Sequence, residues 1–178
     1  MQKILFFILL PILAFSQPSW EDFQVDSLNF TVKTPFPLDH KVNEAMTDFG
    51  LQKIISFGVR APETHDNYLY QIMVIPYPDS TFHQDSTAFK NMVIQEFVNA
   101  SHDNEIAEKI YQTSTSKRGQ SFEQWVIHHG KEFSIKSRAT INDNSLYVIQ
   151  VITPFDKSVN TKIDKFLNSF TFLDSTSF

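Results

Sequence analysis

The side chains best equipped for chemistry stand at 128 and 129, where two histidines close the apolar run QWVIHH just before Gly130. Adjacent imidazoles suggest either a shared metal ion or an acid–base pair. The spacing argues against the metal. Neighbouring residues of a strand point to opposite faces, whereas ligands on one element come at i and i+2 of a strand or i and i+4 of a helix. Neither spacing occurs among His40, His65, His83, His102, His128 and His129. Asp and His adjoin at 39/40, 65/66 and 102/103, always in stretches of turn or helix-end composition, where both residue types serve the backbone. The chain lacks the G-x-S-x-G elbow of a serine hydrolase and the Gly-rich loops that cradle phosphates. It contains no cysteine, which removes disulfides, thiolate metal sites and cysteine nucleophiles together. No residue is singled out as catalytic, and neither a metal nor a cofactor is expected.

Whatever site exists must be carried by a domain that follows a leader. MQKILFFILLPILAFS, residues 1–16, opens with Lys3, continues through an apolar block and ends on small residues at the positions a signal peptidase reads. The block is interrupted by Pro11 and is shorter than the roughly 20 residues that span a bilayer. A cleaved signal peptide is the expectation, with Gln17 as the new N-terminus and no integral membrane segment in the mature chain. No cysteine is present to receive a lipid anchor, so a periplasmic or secreted protein is expected. Residues 17–25 read as an N-terminal extension, 26–173 as one domain and 174–178 as a tail.

The full chain of 178 residues carries a net charge of −5 without a basic stripe, which argues against nucleic-acid partners. Phe supplies 18 aromatic residues against 2 Trp and 5 Tyr. Phe has no polar edge to offer a ligand, so most of the aromatic content belongs to a core.

The elements follow from periodicity. SLNFTVKT alternates as a half-buried strand until Pro35 and Pro37 stop it, and 39–49 is ambiguous between short helix and loop. Residues 51–59 and 68–77 form a hairpin across RAPETHDN. Asp85 or Ser86 caps a helix to residue 100, with Phe89, Met92, Val93, Phe97 and Ala100 on its apolar side. Strands are expected at 106–116, 121–129, 132–141 and 145–153. Ser158 caps a second helix that buries Val159, Ile163, Phe166 and Leu167, and SFTFL closes the chain as a short strand. The result is an α+β fold, a mainly antiparallel sheet of about six or seven strands flanked by two principal helices.

A turn at Gly130–Lys131 pairs residues whose numbers sum to 261, and one at Asp143–Asn144 pairs those summing to 287. In that register His128 shares the core face with Phe133, and His129 faces Glu132. Gln124, Ser137 and Gln150 fall in one polar row on an otherwise aliphatic face, expected as a buried hydrogen-bonded ladder. The opposite face carries Trp125, Ile127, Tyr147, Ile149 and Val151 with Glu123, Lys136 and Arg138, Glu123 standing opposite Arg138. A helix or a partner must cover it. If no helix does, Trp125, Ile127, Lys136, Arg138 and Tyr147 form the candidate interface.

The order of elements, with YQIMVIPYP at 70–78 and NDNSLYVIQVITP at 142–154 each preceding a helix, and the ending FLNSFTF, resembles the PsbP-like domain over residues 26–173. That family includes the extrinsic photosystem subunit and bacterial envelope proteins of the DcrB kind. The resemblance implies an α/β/α sandwich and a non-catalytic accessory or binding role, with an envelope protein as a possible partner class. It transfers no functional residue. The alternative is an exported hydrolase whose groups converge from separate loops.

Overall fold

A computed structural model describes residues 19–47, 50–78, 81, 87–100, 106–113 and 119–173. Among the described residues ten strands form two antiparallel sheets, and two α-helices accompany them. β1 (Glu21–Val25) and β2 (Phe30–Thr34), joined through a short 3-10 turn, make a three-stranded sheet with β10 (Thr171–Phe172). The large sheet has the order β3-β4-β5-β9-β8-β7-β6. Its strands are β3 (Asp39–Thr47), β4 (Gly50–Arg60), β5 (Leu69–Pro76), β6 (Ile106–Gln112), β7 (Gln120–His128), β8 (Lys131–Asn142) and β9 (Ser145–Pro154). The expected α+β class holds, and two segments differ from expectation. The N-terminal extension contains β1, whose Phe23 and Val25 pack onto the core, and the ambiguous stretch from 39 is the edge strand β3. Both are short of apolar residues because each is solvated over much of its length. Met46 of β3 is 76% exposed, and Lys41 and Glu44 charge this edge of the sheet.

Alternation along the central strands divides the core in two. One face of the large sheet presents Phe57, Tyr70, Ile72, Val74, Tyr147, Ile149 and Val151. It is covered by Phe30 and Val32 of the small sheet and by Ile163, Phe166 and Leu167 of α2 (Thr161–Ser169). The other face presents Ile75, Leu146, Val148, Ala139 and Phe122 to Val93 and Ile94 of α1 (Thr87–Ala100), with Phe89 and Phe97 beside them. Met92, expected on the buried side of α1, is half exposed, and Ile94 takes the inner position.

α2 starts later than expected. Asn160, not Ser158, is its N-cap, with the side-chain oxygen accepting the N–H groups of Lys162 and Ile163. A cap of this kind stabilises by about 1 kcal/mol. Val159 therefore lies outside the helix and is 92% exposed.

The β8–β9 register matches expectation, with Ile141 opposite Leu146 and Ile135 opposite Ile152. The β7–β8 register differs by two residues. His128 pairs with Lys131, Val126 with Phe133 and Gln124 with Ile135, because the two turn residues are His129 and Gly130. Both have positive φ, 49° and 72°, as the type I′ hairpin turn requires, and glycine adopts such a conformation freely. A shift of two leaves every side chain on its expected face, so the faces survive and the partners change.

Candidate functional site

The altered register rearranges the polar row. Gln150 Nε2 donates to Ser137 Oγ at 3.1 Å, as the row requires, while Gln124 sits two residues along, opposite Ile135 and diagonal to Ser137. All three are buried. The row extends in the other direction, because Gln71 of β5 is the cross-strand partner of Gln150. Each of four strands thus places one polar residue between apolar ones. The sequences are Met73, Gln71, Leu69 on β5; Val148, Gln150, Ile152 on β9; Ala139, Ser137, Ile135 on β8; and Phe122, Gln124, Val126 on β7.

On one side of that row lies the α1-covered core. On the other, Val126, Phe133, Ile135 and Ile152 belong to neither core. With Tyr68 and His128 they line a cavity of about 250 Å³. Tyr68 is held by its N–H, which donates to the Ile152 carbonyl at 2.8 Å, and its ring lies 5.4 Å from that of Phe133. The Arg60 guanidinium stands over the Tyr68 ring at 4.5 Å. His128 therefore takes its expected face and is exposed at the rim, whereas His129 leaves the strand at the turn and does not pair with Glu132, whose partner is Ile127. The two rings touch, with centroids 4.2 Å apart. Among the described residues no group of three or more His, Asp or Glu side chains could hold a metal ion.

The Trp125 face is divided between cover and surface. Tyr147 is 5% exposed beneath the small sheet, and its hydroxyl donates to the Leu28 carbonyl at 3.0 Å, so it leaves the candidate interface. Arg138 is held at the end of α2. One guanidinium nitrogen donates to the Leu167 carbonyl at 2.7 Å and another to Asn168 Oδ1 at 2.9 Å. A cation there complements the negative pole of the helix. Glu123 meets Lys136 at 3.8 Å rather than Arg138, and accepts from Ser134 Oγ at 2.6 Å. Lys136 Nζ also donates to the Ser158 carbonyl. Trp125 and Ile127 remain half-buried, with Phe155 6.3 Å from the Trp125 ring.

A third arrangement was not legible in the sequence. In the β4–β5 loop Asn67 is buried and joins three elements: its Nδ2 donates to Tyr70 Oη at 2.6 Å, and its Oδ1 accepts from Thr153 Oγ1 and Asn160 Nδ2, both at 2.8 Å. Burial pushes the Tyr70 phenol up to about 12. His65 beside it accepts the Asn67 N–H on Nδ1, and its Nε2 is buried without a partner between the Phe36 and Tyr70 rings. Burial, then the neighbouring Lys162 ammonium, holds His65 below the usual histidine range. A cavity of about 860 Å³ nearby is lined by His65, Asp164, Lys162 and Trp20. His65 from the β4–β5 loop and Asp164 from α2 both line it, the acid and histidine a hydrolase would need. Yet one His65 nitrogen is occupied by the backbone and the other is sealed from solvent, so neither reaches a substrate in the cavity.

No family model and no curated protein sequence matches the chain.

Proposed function

We propose that the chain is an exported, soluble, non-catalytic binding or accessory protein of the cell envelope, PsbP-like in kind, that works through the apolar cavity beside the polar row. The observation that carries this reading is the position of Val126, Phe133, Ile135 and Ile152. They are apolar, lie on the same sheet face as a packed core and belong to neither core, yet they surround a cavity. The leader supports export, and the element order supports the PsbP-like assignment. Charged groups on the Trp125 face hold the fold, Arg138 at α2 and Glu123 with Ser134 and Lys136, which favours binding over chemistry there.

Two measurements test the reading. Fractionation of cells that express the full chain should recover a product beginning at Gln17 in the periplasm or medium; a membrane-retained chain that keeps residues 1–16 overturns export. The small uncharged dye 1-aminoanthracene should brighten on binding the mature protein and lose that response in Ile135→Trp, which fills the cavity. An undiminished response in a folded Ile135→Trp protein overturns the assignment of the site.

A further inference from the structure

The reading above leaves the ligand open, and the rim of the cavity narrows it. We infer that the cavity takes a small apolar anion, a short-chain or single-ring carboxylate, with its hydrocarbon part on Phe133, Ile135 and Ile152 and its charged end toward Arg60, His128 and Lys131. The inference rests on the proposed binding role and adds the ligand class.

Size sets the first limit. A cavity of roughly 150 Å³ holds one benzene ring, and this one measures about 250 Å³. It accommodates a substituted ring or a chain of several carbons and is too small to enclose a full-length lipid tail. Lining chemistry sets the second. Five of the six lining residues are aliphatic or aromatic, and a hydrated polar molecule would lose its water there without hydrogen-bond return.

Charge sets the third. Arg60 lies over the ring of the lining residue Tyr68. Lys131 is the cross-strand partner of the lining residue His128 and is exposed. Glu132, the acid next along β8, points to the opposite face by alternation. Two basic side chains therefore stand next to lining residues of the cavity in a chain whose net charge is −5. Such a rim favours the anionic end of an amphiphile and disfavours a cationic one. The buried, hydrogen-bonded pair Ser137 and Gln150 lies two residues along the strands from Ile135 and Ile152, on the side away from His128 and Lys131.

The test is a methyl-resolved NMR titration of the mature protein with three ligands of one chain length: octanoate, 1-octanol and octylammonium. Octanoate should bind most tightly and octylammonium least, with shifts at Val126, Ile135 and Ile152 and none at Val93 or Val148 in the α1 core. Removing the two rim charges, Arg60→Gln with Lys131→Gln, should weaken octanoate by about fivefold, the scale of exposed ion pairs, and leave 1-octanol unchanged. Equal affinity for octanoate and octylammonium overturns the anion inference while the apolar site stands. Absence of shifts at the cavity methyls with all three ligands overturns the inference and the binding site together. Movement of those methyls with protein concentration alone makes the cavity a contact between copies and also overturns the inference. The rim variants lie on the surface, so the comparison survives if Ile135→Trp fails to fold.

Discussion

At the scale of single residues, the polar side chains that looked available for chemistry are mostly structural. Arg138 is the clearest case. Its guanidinium donates to the Leu167 carbonyl near the end of α2 and to Asn168 Oδ1, and hydrogen bonds from a charged donor are the stronger kind. Arg138→Met should lower unfolding free energy by about 2 kcal/mol in urea titrations, while Arg138→Lys, which cannot make the forked contact, recovers only part of it. His65 provides a pH signature. Its folded pKa lies below the 6.5 of an unperturbed histidine, so the unfolded chain takes up the proton first as the pH falls. Stability should therefore be full above 6.5 and decline below it, down through the lower folded value. Asp66, whose carboxyl is lowered by its hydrogen bond from Lys162, acts in a separate window: its contribution is present above 3.8 and lost beneath it. Unfolding midpoints at about pH 7.5 and about pH 5.5 should differ in the wild type and differ less in His65→Gln. An equal difference in both proteins would remove His65 as the cause.

At the scale of elements, the hairpins show what could be read from the chain and what could not. Alternation over β7, β8 and β9 identified the faces correctly, because apolar period fixes side-chain direction whatever the partner. It could not fix the β7–β8 register. Val126 meets an apolar residue either way, Ile135 in the expected pairing and Phe133 in the observed one. Turn chemistry decides between them: a type I′ turn favours glycine second, which puts His129 first. His129→Asn supplies the preferred Asn-Gly pair and should stabilise the protein by about 0.5 kcal/mol, measured as a higher urea midpoint at unchanged m. Gly119 is the opposite case. Its φ is 93°, and an added Cβ would press on the Ala139 carbonyl and come within 2.8 Å of Thr140 Cβ on β8. Gly119→Ala should cost more than about 2 kcal/mol. The start of the second helix was misplaced for a related reason: Ser158 and Asn160 are both competent caps, and packing of Ile163, Phe166 and Leu167 against the large sheet selects the later one.

At the scale of the whole molecule, most strands of both sheets were legible, and β1 of the small sheet and β3 of the large one were not. EDFQV offers two apolar residues in five, too few to announce a strand, yet Phe23 packs 5.5 Å from Phe57 and 6.5 Å from Phe30. Trp20 meets Tyr70 edge-on at 6.0 Å. A chain that starts at Asp26 should be at least about 3 kcal/mol less stable than one that starts at Gln17, the scale of deleting one buried Phe, and thermal unfolding of the two purified proteins would measure it. The cavity lay beyond sequence reasoning for a different reason. Ile152 and Val148 look alike along β9, and which of them α1 covers depends on where the helix lands. The polar residues between them were the available clue, and they were visible as a row without showing that they form a boundary.

That boundary bears on how such a chain can change over generations. Leu146, Val148 and Ala139 are constrained by a helix that must fit them, and an altered shape there is felt through the core. Ile135 and Ile152, four residues further along β8 and β9, and Phe133 beyond them belong to neither core among the described residues. One sheet face is thereby partitioned into a half whose volume is fixed by the helix that packs on it and a half outside either core, so substitutions in the second should disturb folding less than substitutions in the first.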